Sequence, residues 1–141
     1  MKVTIIPKTL HFKQPAGTSR GVYLTRKVWY ILLTGSENPQ HIGVGECAPL
    51  PALSCDDVPE YEEVLQETCR RLEENVKANL ENAFASLEHL EAYPSIRFGV
   101  ETALAHYQAR SLQFWHTPFS KGKEGIPING LIWMGNFNEM Y

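Results

Sequence analysis

Gly43-Val44-Gly45-Glu46-Cys47-Ala48-Pro49-Leu50-Pro51-Ala52-Leu53-Ser54 joins two kinds of chain within one short stretch. Its first half belongs to a strand, His41 to Ala48, with glycine at alternate positions 43 and 45. Glycines spaced this way share one face of a strand and mark the close approach of another backbone. Its second half opens an apolar loop, Pro49 to Cys55, stiffened by two prolines whose fixed φ leaves little freedom to lose on ordering. Strand-type sequence precedes this stretch and helix-type sequence follows it, so the domain divides here.

Toward the N-terminus, Met1 to Phe12 alternates loosely and is rich in β-branched residues. Gly21 to Thr34 carries Val22, Tyr23, Val28, Trp29, Tyr30 and Ile31, which suit a half-buried pleated surface. The breaker run Thr34-Gly35-Ser36-Glu37-Asn38-Pro39 is short enough to make the second and third strands an antiparallel hairpin. Lys13 to Arg20 is longer than a hairpin needs and is expected to be a loop, a kind of segment that often carries function.

Toward the C-terminus, Asp56 and Asp57 offer N-cap and first-turn carboxylates, with Pro59 in the opening turn. Tyr61, Val64, Leu65, Cys69, Leu72 and Val76 then recur at helical spacing against a Glu- and Arg-rich face. A second amphipathic stretch with Leu80, Phe84, Leu87 and Leu90 breaks at Tyr93-Pro94. Ser95 is placed to cap a third helix reaching about Leu112, with Ile96, Val100, Ala103, Leu104 and Tyr107 on one stripe. A strand meander followed by helices is an α+β pattern. Lys121 to Gly125 is a polar, glycine-rich linker and the expected domain boundary. Ile126 to Gly135 is nearly continuous in apolar residues, as in a strand buried on both faces of a parallel sheet or barrel, and 136–141 begin what reads as a helix.

Composition narrows the function classes. At 43% hydrophobic and 21% charged, the chain has the make-up of a globular domain. A net charge of −3 gives no general attraction to phosphate backbones or anionic membranes, so nucleic acid and membrane partners are not expected. The longest apolar run, Val28 to Leu33, is too short to span a bilayer, and the first residues lack a secretory signal core. Cys47, Cys55 and Cys69 are odd in number and fit no paired motif, which suits reduced thiols in the cytosol.

No stand-alone catalytic constellation emerges: there is no G-x-S-x-G elbow, P-loop or H-E-x-x-H helix. Cys47 and His41 share one face of a short strand but sit too far apart along it to form a nucleophile pair. Glu46 stands alone and reads as a structural carboxylate. Arg20, beside Thr18, Ser19 and Gly21, is placed where a guanidinium could clamp a carboxylate bidentately, with a solvated loop arginine as the alternative.

Taken in order, these segments resemble the o-succinylbenzoate synthases of the enolase superfamily. Gly43 to Ser54 is similar to their G-x-G-E-x-x-P-L-P-x-x-S element, and Ser19-Arg20-Gly21-Val22 to the mobile loop before it. Pro94 to Leu104 resembles the helix that closes the capping domain, and Ile128 to Ile132 the first barrel strand. The resemblance implies an α+β capping domain at 1–120, a three-stranded antiparallel meander with a helical bundle. A linker at 121–125 and the first strand and helix start of a truncated (β/α)₇β barrel at 126–141 would follow. It implies a parent lyase of menaquinone biosynthesis that dehydrates a cyclohexadiene carboxylate with Mg²⁺, whose lysines and acidic metal ligands lie on strands beyond this chain. Catalytic and metal-binding residues are therefore assigned to none of these 141 residues, which are expected to bind no Mg²⁺ and to be inactive alone. Lys121 and Lys123 form a K-x-K string in the linker and receive no catalytic role.

Two cap loops carry over. They are Thr18, Ser19 and Arg20 in the first, and Pro49, Leu50, Pro51, Leu53 and Ser54 in the second. Their implied role is to exclude water and shape a cavity for a small carboxylate substrate, shared with the barrel. A cap of a related dipeptide epimerase or muconate cycloisomerase, or a non-catalytic binding or assembly module, are the alternatives. Apolar faces left uncovered by a missing barrel are expected to promote self-association.

Overall fold

The computed structural model describes the chain except at residues 19, 37, 79–82, 85–86, 88, 131–137 and 139–141, and leaves the side chains at 76–78 undescribed. Three strands, β1 (Lys2–Thr18), β2 (Gly21–Thr34) and β3 (Ile42–Cys47), form an antiparallel sheet in that order. Among the described residues, the helices given in full are α1 (Tyr61–Ala78) and α2 (Pro94–Ala109). This is the α+β arrangement of strands first and helices second that the pattern of residues implies.

The β2–β3 hairpin pairs Thr34 with Ile42 through Trp29 with Cys47, as the breaker run between them requires. Within that run, the Asn38 side-chain oxygen accepts from Gln40 N–H at 3.1 Å, and His41 N–H closes the turn on Asn38 O at 3.0 Å. Lys13 to Arg20 is not the loop expected from its length. β1 continues through Thr18, with an irregularity in register between His11 and Ala16, and pairs again with β2 up to Thr18 opposite Gly21. Pro15 lacks the N–H that a regular ladder needs, so the irregularity falls where the sequence cannot keep pairing. The result is a long two-stranded arm projecting past the end of β3.

The helices cover the sheet through residues that alternate correctly for their elements. Trp29, Ile31 and Leu33 of β2 are buried, as are Gly43, Gly45 and Cys47 of β3. Against them lie Tyr61, Leu65, Cys69 and Leu72 of α1 and Ile96, Val100, Ala103 and Leu104 of α2. Each fully buried leucine or isoleucine contributes roughly 1.5–3 kcal/mol of transfer free energy. Trp29 and Tyr61 pack ring to ring at 4.9 Å, tying β2 to the first turn of α1. The closest contact is between α2 and β3, where Gly43 and Gly45 let the helix backbone at Ala103 and Gly99 approach with no side chain between.

The expected helix ends shift for physical reasons. Asp56 and Asp57 do not cap α1, which begins at Tyr61. Asp56 is instead buried, its Oδ2 accepting from Ser95 N–H at 2.8 Å and from the Ser95 hydroxyl at 2.5 Å. It thereby satisfies an orphan amide in the first turn of α2 from 39 residues away. Ser95 lies inside that helix and shares its hydroxyl with Tyr61 Oη at 2.6 Å. α2 ends at Ala109 rather than Leu112, because Arg110 turns to φ 53° and donates its N–H to His106 O.

Of the second amphipathic stretch, Ala83, Leu87 and Leu90 are buried while Phe84 is exposed, and Leu80 lies outside the described residues. Residues 126–130 have no regular secondary structure, with Ile126 and Ile128 exposed, and the rest of the expected barrel strand lies outside the described residues.

Candidate functional site

The arm formed by β1 and β2 reaches the loop that follows β3, and the two predicted loops meet there. At the tip, Thr18 Oγ1 accepts from Arg20 N–H and donates to Gly21 O, both at 3.2 Å, closing a tight reversal. Gly21 sits at φ +144°, a conformation that residues with a side chain seldom adopt. Arg20 extends its guanidinium across to the second loop, where Nη1 donates to Ala52 O at 2.9 Å. Ser19 lies outside the described residues.

The second loop is tightly wound. Leu53 N–H and Ser54 N–H both donate to Leu50 O, at 3.0 and 2.9 Å, while Ser54 Oγ accepts from Leu50 N–H at 2.8 Å. Ser54 is thus a bracket for the loop, and Pro49 is buried at its root. Leu53 is exposed at 42%, whereas Leu50 and Pro51 are half-buried. Ala52 stands at φ +58°, in the left-handed region that costs a residue with a Cβ of order 1–2 kcal/mol. It is held there from both sides, by Arg20 on its carbonyl and by Asp57 Oδ2, which accepts its N–H at 2.7 Å.

Three further residues of this site were not singled out from sequence. Tyr23 Oη donates to Pro51 O at 2.8 Å, and the Arg26 guanidinium donates to Ala48 O. Asp57, expected in a helix start, serves the loop instead. The strand pattern marks Tyr23 as half-buried, but nothing local pairs it or Arg26 with carbonyls 22 and more residues away. Below the loop root lies a cavity of about 310 Å³ lined by Arg26, Glu46, Ala48, Ser95 and Phe98.

Titratable groups near the site are structural. Burial pushes the Cys47 thiol far above its ordinary range, helped by Cys69, Asp56 and Glu46 nearby, and burial alone pushes Cys69 up to about 12. Cys47 and His41 form no nucleophile pair: the His41 ring stacks on Tyr107 at 4.0 Å and its Nε2 meets Tyr107 O at 2.6 Å. A thiol reagent at about pH 8 is therefore expected to titrate only exposed Cys55 in the native chain, and all three cysteines in denaturant. Rapid native labelling of two or more would contradict the burial.

Among the described residues, no three His, Cys, Asp or Glu side chains converge to hold a metal ion, and no helix is long and apolar enough to cross a membrane. The groups present are hydrogen-bond donors, prolines and aliphatic side chains, which fix the shape of the loop and of the cavity beneath its root.

No family model matches the chain. It is 30% identical over 160 aligned positions to an o-succinylbenzoate synthase from Desulfotalea psychrophila, covering 96% of this chain and 43% of that protein. Its fold is similar to that of the L-Ala-D/L-Glu epimerase of Bacillus subtilis, with TM-score 0.59 and 18% identity over 78% of this chain and 32% of that one. It is also similar to the o-succinylbenzoate synthase of Thermosynechococcus elongatus, solved with Mg in its active site. There the TM-score is 0.53 and the identity 22%, over 75% of this chain and 30% of that one. The chain thus spans less than half the length of each of these proteins.

Proposed function

Since the chain has the fold of an enolase-superfamily N-terminal capping domain, we propose that it is the specificity-giving part of a cytosolic o-succinylbenzoate synthase. The observation that carries this reading is the direct contact of the two loops, Arg20 on Ala52, at the end of the arm. In this reading residues 1–120 form the cap, 121–125 the linker and 126–141 the opening of the barrel. Thr18, Ser19, Arg20, Pro49, Leu50, Pro51, Leu53 and Ser54 close over a small carboxylate. The tip supplies a guanidinium, and the proline-stiffened loop supplies apolar walls that exclude water at little entropic cost. Mg²⁺, when bound by the whole enzyme, stabilises charge developing on the substrate carboxylate. The described residues offer no ligand set for it.

Two measurements test the reading. The coding frame is expected to continue for roughly 200 residues, enough to complete a barrel, with a K-x-K strand and spaced acidic ligands. The pure 141-residue protein is expected to show no dehydratase turnover with Mg²⁺ and the cyclohexadiene carboxylate. Turnover by the chain alone would overturn the division of labour. A dipeptide-epimerase cap is the second reading, favoured by a structural neighbour of that activity that superposes at least as well as the synthase. Epimerisation of a dipeptide by the whole protein, without dehydration, would select it.

The chain also exposes Phe98, Leu112, Trp115 and Phe119, beside an apolar groove of about 740 Å³ that Phe84, Phe98, Phe114 and Trp115 help to line. Self-association of the isolated chain through this face is expected. Light scattering should show a mass rising with concentration, and a monomer throughout would count against it.

A further inference from the structure

We propose that Tyr23 and Arg26 are positioning residues, which hold the Pro49–Ser54 loop in shape from the β2 arm. The proposal deepens the functional reading above, because a loop that shapes a substrate cavity needs its walls fixed before substrate arrives.

The geometry is specific. Three side chains from a short stretch of the arm capture three backbone carbonyls of the loop: Arg26 takes Ala48 O, Tyr23 takes Pro51 O and Arg20 takes Ala52 O. The prolines restrict φ at 49 and 51, but they donate nothing and cannot choose among the ψ values left open. The loop's own hydrogen bonds converge on Leu50 and Ser54, and the Ala48, Pro51 and Ala52 carbonyls are oriented by donors from outside. Ala52 makes the need visible, since its left-handed φ of +58° persists only where its surroundings over-determine it. Arg26 is half-buried between the arm and the loop root. Its Nε is buried with no partner among the described residues, beside the cavity that undercuts the loop root. Loop and arm thus behave as one body, and a substitution in the arm reaches the loop without touching anything the loop encloses.

The loop supplies its own reporters. The amides of Leu50, Ala52, Leu53 and Ser54 are hydrogen-bonded within the loop or to Asp57, so their hydrogen exchange reports local opening. Tyr23→Phe removes one hydroxyl, and Arg26→Met keeps the aliphatic stem while removing the donors. Each is expected to accelerate exchange at these four amides by about tenfold, leaving Ile31 and Val100 in the core unchanged. Arg26→Lys, which keeps a donor, is expected to restore part of the protection. Unchanged loop exchange, or acceleration by one common factor in loop and core, would overturn the proposal, the second because the residues would then merely stabilise the fold. The readout involves no substrate. A loop that loosens as expected in a protein that proves not to be the synthase refutes the functional reading alone.

Discussion

Gly45→Ala is expected to abolish the native fold. An added Cβ at position 45 would lie 1.8 Å from Gly99 O and 2.7 Å from Gly99 C, both backbone atoms of α2. Overpacking a core usually costs about 1–3 kcal/mol, because side chains can shift to make room. Here nothing flexible can yield: relief requires α2 to move off the sheet, opening the contacts of Ile96, Val100, Ala103 and Leu104 together. The cost is roughly 4 kcal/mol or more, comparable to the whole stability of a small domain. Gly125→Ala is the matched control, since a Cβ there meets nothing within 4 Å. It should be neutral within about 0.5 kcal/mol. Urea denaturation followed by circular dichroism compares the two, and a folded Gly45→Ala chain with a near-native midpoint would mean that α2 does not lie where the structure places it.

Asp56→Ala is expected to cost roughly 3 kcal/mol. The carboxylate gives α2 the cap that Tyr93, at its N-terminus, does not provide. Losing a cap costs about 0.5–2 kcal/mol. A buried amide or hydroxyl left without its acceptor adds about 1–3 kcal/mol, and the Ser95 amide faces that loss, while the Ser95 hydroxyl also loses an acceptor. Asp56→Asn keeps an acceptor oxygen but loses the charge that complements the helix N-terminus, so about 1 kcal/mol is expected. The same urea experiment reads both variants. Equal losses for Ala and Asn would show that charge rather than capping geometry holds the helix start, and a loss below about 0.5 kcal/mol for Ala would remove Asp56 from the core's support.

The site was partly legible before any coordinates. Arg20 and Thr18 stand out because hydroxyl, guanidinium and glycine cluster between strands, and Pro49 to Ser54 because apolar residues with two prolines make a stiff loop rather than a strand or helix. Tyr23, Arg26 and Asp57 were not legible. Their partners are backbone carbonyls and an amide, which carry no residue identity and so leave no mark in the sequence.

The same division runs through the fold. Residue spacing alone determined that strands precede helices, that Ile96, Val100, Ala103 and Leu104 share one stripe, and that Gly43 and Gly45 receive a backbone, because periodicity and the absent Cβ are local properties. Only the tertiary structure decided that Lys13 to Thr18 continues a strand rather than forming a loop. It alone moved Asp56 from the start of α1 to the start of α2, and joined the arm to the proline loop. Each of these depends on which distant partner offers the better hydrogen bond, and a carboxylate or strand edge with several partners within reach is assigned only when the packed helices and sheet bring one of them to it.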